Sequence, residues 1–103
     1  MIRTFKLDGR NMIDKAAILE EFASALSLPD YFGRNWDALE ECLSDPDLFK
    51  GCQGCELFIE HAEHLGEADA PARKTLLDIL ESVSRGWASH QPSFTFKTVL
   101  IPD

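Results

Sequence analysis

Basic residues are scarce in this chain. Ten Lys and Arg stand against 18 Asp and Glu, a formal net charge of −8 over 103 residues. Such a domain repels a phosphate backbone, so direct nucleic-acid binding is disfavoured. The same sign attracts a basic partner, although charge of this size also simply keeps a small domain soluble. Long apolar runs are missing as well. No stretch approaches the roughly 20 residues that span a bilayer. The opening MIRTFKLDGRN has no apolar core of the signal-peptide kind. No membrane association and a cytoplasmic location are therefore expected. Cysteines number three, an odd count that a disulfide framework does not use up, so reduced thiols are expected. Glycine-rich phosphate loops, repeats and low-complexity stretches are absent. So is any Ser-His-Asp or Cys-His grouping that would mark a nucleophile.

What is present is enough for one packed domain over residues 1–103, with 45% hydrophobic residues to fill its core. Met1–Leu7 reads as a first strand, ended by the turn signal Asp8-Gly9. Asp14 can cap a helix over Lys15–Leu26, in which Ile18, Leu19, Phe22, Ala25 and Leu26 form one apolar stripe. Glu20 and Glu21 lie off that stripe and read as solvated. Pro29 is expected to end the helix, because a residue before proline is pushed out of helical geometry. Glu56–Glu60 holds Leu57-Phe58-Ile59, a short apolar run that suits a buried strand. His61–Leu65 reads as one helical turn closed by Gly66. Asp69-Ala70-Pro71 is a helix start, since proline is pre-set for the first turn. The helix that follows places Leu76, Leu80, Val83 and Trp87 on one face, and Gly86 is expected to end it. His90–Ser93 reads as a loop. Phe94–Ile101 reads as a last strand. Strands separated by helices imply crossovers and a parallel sheet, hence an α/β fold.

Two thiols and two imidazoles need weighing. Cys52-Gln-Gly-Cys55 and His61-Ala-Glu-His64 each resemble half of a zinc site. A strand between them would hold the halves apart at roughly 3.3 Å per residue. The cysteines also precede a strand, not the helix N-terminus that would lower a thiol pKa. No metal and no cofactor are expected.

The stretch Leu28–Asp45, LPDYFGRNWDALEECLSD, organises the rest. Asn35 can cap a helix in which Trp36, Leu39 and Leu43 share one face. Asp37, Glu40 and Glu41 lie roughly opposite. Tyr31 and Phe32 form an aromatic pair at the mouth of that helix. The residues Leu28, Pro29, Tyr31, Gly33, Asn35, Asp37, Ala38, Leu39, Cys42 and Leu43 match the motif of the barstar family, small intracellular inhibitors of secreted bacterial ribonucleases, and the segment resembles it. The resemblance implies a small three-stranded parallel sheet packed against three to four helices. It also implies a basic ribonuclease as partner, blocked by an acidic helix, with no catalysis by this chain.

Carried over by position, the resemblance assigns partner binding to Tyr31, Phe32, Asn35, Asp37, Glu40, Glu41 and Asp45. Phe32 keeps the ring of a family tyrosine without its hydroxyl. Glu41 stands where the family has its central aspartate. Glu40 replaces a tryptophan, and Asp45 and Pro46 replace a glycine and a tryptophan. On the later helix Ser82 stands where the family has a contacting glutamate, with Glu81 beside it. A monomer is expected in the free state. Two other readings stay open: an adaptor or regulator with a basic non-nuclease partner, and a small enzyme using Asp37, Glu41 and the nearby histidines.

Overall fold

The computed structural model describes residues Met1–Asp103. Three strands, β1 (Ile2–Asp8), β2 (Gly54–Glu60) and β3 (Thr95–Ile101), form a parallel sheet in the order β1-β2-β3. Helices α1 (Lys15–Ala25) and α2 (Trp36–Leu43) connect β1 to β2, and α3 (Ala70–His90) connects β2 to β3. The α/β class and the parallel sheet are as the pattern predicts.

Alternation along the strands decides which face is covered. The register aligns Phe5 with Leu57 and Leu7 with Ile59, and these four are buried with Cys55 and Phe96. The opposite face carries Thr4, Lys6, Glu56, Phe58 and Lys97, none of them fully buried. α1 packs on β1, α3 on β3 and α2 on α3. The helices' apolar stripes thus meet one sheet face and form a single core that includes Ile18, Phe22, Leu39, Leu43, Leu76 and Leu80.

Helix ends follow local chemistry. Asp14 accepts from Ala17 N–H, Asn35 from Ala38 N–H and Asp69 from Ala72 N–H, so each helix has a side-chain N-cap. Pro29 does not end α1. The chain leaves the helix earlier, at Ser27, whose φ is +51°. Ser27 N–H then bonds Ser24 C=O at 3.3 Å and Leu28 N–H bonds Ala23 C=O at 3.0 Å, a paired closure that satisfies two orphan carbonyls. Gly86 does not end α3 either. The helix continues to His90, because Trp87 packs into the core from within it. β2 begins at Gly54 rather than Glu56, so Cys55 is a strand residue. Glu20 and Glu21 are not merely solvated. Glu20 pairs with Arg34 at 2.9 Å, and Glu21 accepts Asp8 N–H at 2.9 Å.

Gly66 closes the turn before α3. Its φ is +69°, its N–H bonds Met12 C=O at 2.8 Å, and an added Cβ would collide with the Arg73 side chain. Arg73 has little room to yield, since its guanidinium donates to Ala62 C=O and Leu65 C=O at 2.9 and 3.0 Å. Gly66→Ala should therefore lose about 1–3 kcal/mol in urea denaturation, from strain at a left-handed position plus the clash. A loss below about 0.5 kcal/mol would show that the turn relaxes freely.

Candidate functional site

The turn before α2 sorts its two aromatic residues. Phe32 N–H bonds Pro29 C=O at 2.8 Å, which closes a four-residue turn with Tyr31 at its tip. Tyr31 is 85% exposed and Phe32 only 4%. Phe32 is thus corrected from a mouth aromatic to a core residue, with its ring committed to packing under the turn. Trp36, expected to be buried by its spacing, is half-buried, and the Lys15 ammonium lies 5.8 Å from its ring centroid.

α2 itself is held at both ends. Asn35 Oδ1 accepts Ala38 N–H at 2.8 Å, and Asn35 Nδ2 donates to Gly33 C=O at 3.3 Å. Asp37 sits in the first turn, where the helix dipole favours an anion. At the other end Trp87 Nε1–H donates to Leu43 C=O at 3.0 Å, a buried bond between α3 and α2. Leu39 and Leu43 are fully buried between these clamps. Their burial points Asp37 and Glu41 outward, and both are exposed, as is Asp45.

Tyr31 stands between two shallow clefts. One, of about 240 Å³, is lined by Phe32, Gly33, Ala38, Glu41, Cys42 and Asp45. The other, of about 190 Å³, runs past Leu28, Pro29, Asp45, Asp47 and Leu48. The phenol ring is therefore flanked by carboxylates on both sides.

None of these carboxylates has a cationic partner within the protein. The six ion pairs are Arg10–Asp8, Arg34–Glu20, His61–Asp103, His64–Glu67, Lys74–Asp78 and Arg85–Glu81. Arg34, next to the motif helix, is turned away to Glu20. Glu40 differs from its neighbours. It is half-buried and accepts Ser82 Oγ–H at 3.1 Å. Glu81, beside Ser82, is occupied by Arg85 at 3.0 Å. The link from Ser82 to Glu40 joins residues far apart in sequence, and no local signal marks it.

The thiols and imidazoles are not gathered into one site. Cys55 lies at the start of β2, while His61 and His64 follow its end. His64 instead lies near Glu63 and Asp103, whose potential donor atoms and its own fall within 4.8 Å of one another. All three cysteines are unpaired thiols. Burial pushes the Cys55 thiol up to about 12, and burial with nearby Glu41 and Asp45 also raises Cys42. The thiolate is the reactive form. Half-buried Cys52 should therefore be alkylated first in the folded protein, with Cys55 modified only on unfolding. Peptide mapping after iodoacetamide treatment checks this order, and early labelling of Cys55 would contradict it.

No helix is long and apolar enough to cross a membrane. No curated protein matches the chain. The family model described as Barstar (barnase inhibitor) matches residues 2–99, nearly the whole chain. With a three-stranded parallel sheet, helices on one face and a capped acidic helix behind an exposed tyrosine, the chain belongs to the barstar family.

Proposed function

We propose that this protein is an intracellular inhibitor that blocks the active site of a basic ribonuclease, protecting the cell that makes the enzyme. The observation that carries the proposal is the set of exposed carboxylates on and just after α2, Asp37, Glu41 and Asp45, none with a cation of its own, of which Glu41 and Asp45 line the cleft at Tyr31. A ribonuclease must hold phosphates, so its active site presents Arg, Lys and His donors. Carboxylates on a rigid helix can occupy those phosphate positions through charge-assisted, sometimes bidentate, hydrogen bonds. Tyr31 adds a rigid aromatic surface that excludes water and stacks on apolar or cationic groups. Both ends of α2 are clamped before binding, so little ordering cost falls on association. No bond is made or broken; the inhibitor is a plug that works in the cytoplasm as a single domain.

Inhibition is tested by titrating the purified protein into a barnase-type ribonuclease and following RNA cleavage. Stoichiometric loss of cleavage is expected, and full cleavage at a several-fold excess of protein would reject that target.

A second reading gains from the Glu40–Ser82 bond and the burial of Phe32. Both withdraw contact groups from the face, which leaves a narrower acidic patch suited to a basic protein other than a nuclease. Capture of a basic partner from the native cytoplasm, together with failure to inhibit ribonucleases, would select it.

A further inference from the structure

We infer that the turn after β2 and the chain after β3 form a zinc site, with His61, Glu63, His64 and Asp103 as its ligands. The site is independent of the proposed function and shares no residue with the clefts at Tyr31. The sequence sets these imidazoles beside the thiols, and β2 holds those apart. The parallel sheet sets them beside carboxylates instead. β2 and β3 end at the same level, Glu60 opposite Ile101, so the chain leaving β3 brings Asp103 onto the turn that begins at His61. In open α/β sheets this carboxyl edge is where ligands bind.

Three donors already converge. One ring nitrogen of His64 and a carboxylate oxygen from each of Glu63 and Asp103 lie within 4.8 Å of one another. Both Glu63 oxygens accept Asp103 N–H, at 3.3 and 3.2 Å, which keeps the two residues together. Neighbouring ligand atoms of tetrahedral zinc stand roughly 3.3 Å apart. Glu63 and Asp103 are exposed and His64 is half-buried, so side-chain rotation closes that gap without repacking. Glu67 engages His64 Nδ1 at 3.2 Å. Nε2 is then the nitrogen left for a metal, with a carboxylate behind the other, as in many zinc sites.

His61 is the second observation. Its ring is 32% exposed, yet Nδ1 itself is closed off from solvent. That nitrogen lies against the Asp103 carboxylate and makes no hydrogen bond. A buried polar atom left in this way is costly. A nitrogen and a carboxylate oxygen that approach without sharing a proton are placed as two ligands of one cation are. The neighbouring cation does not compete for them. The turn Gly9–Asn11 packs on Ala62–His64, but Arg10 donates its guanidinium to both oxygens of Asp8. Imidazole favours zinc over magnesium and calcium, which take oxygen ligands. The bound ion would clip the end of β3 to the end of β2.

Metal-free protein, kept reduced with TCEP, is titrated with Zn²⁺ by isothermal calorimetry. One equivalent should bind, and Tm should rise by about 10 °C at about a hundredfold excess over Kd. Binding should survive Cys52→Ser and weaken about tenfold or more in His64→Ala and His61→Asn. Asparagine keeps the left-handed backbone of residue 61, whose φ is +52°, and removes the imidazole. Should a histidine variant fail to fold, Asp103→Asn, a change at an exposed residue, reads the site with the same expected loss. No binding at millimolar Zn²⁺, unchanged binding in Asp103→Asn or in both histidine variants, or binding lost in Cys52→Ser would each overturn the site. Equal binding of Mg²⁺ would overturn the zinc assignment and leave only an acidic patch.

Discussion

Trp87→Ala should destabilise the protein by about 3–5 kcal/mol, a large share of the 5–15 kcal/mol typical of a domain. Trp87 is 6% exposed and packs against Phe49 and Phe94, with ring centroids at 6.0 and 4.3 Å. Truncation therefore opens a cavity inside an aromatic cluster and removes the buried hydrogen bond from α3 to Leu43 C=O at the end of α2. The two losses separate experimentally. Trp87→Phe keeps most of the apolar volume but strands Leu43 C=O, which should cost about 1–3 kcal/mol. Urea denaturation, read as one cooperative transition, measures both. A loss under about 1 kcal/mol for Trp87→Ala would place the residue outside the working core.

On the binding side, Glu41→Ala should mainly speed dissociation from a ribonuclease partner and cost about 2–5 kcal/mol. That range applies when one side of a buried, hydrogen-bonded charge pair is removed, and the barnase–barstar complex is itself a reference case for it. The cost arises because cationic groups of the partner stay buried without a counter-charge. Asp37→Ala should behave in the same way. A rim charge should instead slow association and flatten its salt dependence. Glu40 has the position expected of a rim charge, but its carboxylate holds Ser82, so its removal mixes local packing with binding. Asp45 is exposed and free of ion pairs, and its Oδ1 accepts Asp47 N–H at 2.9 Å, so Asp45→Asn, which keeps that acceptor and removes the charge, is the cleaner rim probe. Stopped-flow association and dissociation rates for Asp37→Ala, Glu41→Ala and Asp45→Asn decide the matter. Three variants that bind like the parent would mean that α2 is not the contact surface, whatever the fold.

Much of this protein is decided within a few residues of chain. Asp14, Asn35 and Asp69 each cap a helix because a short polar side chain reaches a free N–H three residues ahead. Ile18, Leu19 and Phe22, and later Leu76, Leu80 and Val83, recur at helical spacing and are buried accordingly. Strands alternating with helices are enough to imply a parallel sheet. The motif from Leu28 to Leu43 is enough for a resemblance to the family whose model matches residues 2–99.

Other features depend on contacts that local pattern does not encode. Gly86 carries an ordinary stop signal, yet burial of Trp87 one residue later outweighs the cost of glycine and the helix runs on. Adjacent Tyr31 and Phe32 are alike by composition, and only the turn from Pro29 sends one outward and the other into the core. Met12 and Phe49 sit in segments without periodicity and are buried because other elements close over them. Glu40 and Ser82 lie 42 residues apart and meet only because α2 packs on α3. Short-range hydrogen bonds and periodicity are properties of a few consecutive residues, so the sequence determined the elements and their caps. The facing of a side chain, its partner across the core and the clefts between helix ends arise from packing, and the tertiary structure alone decided them.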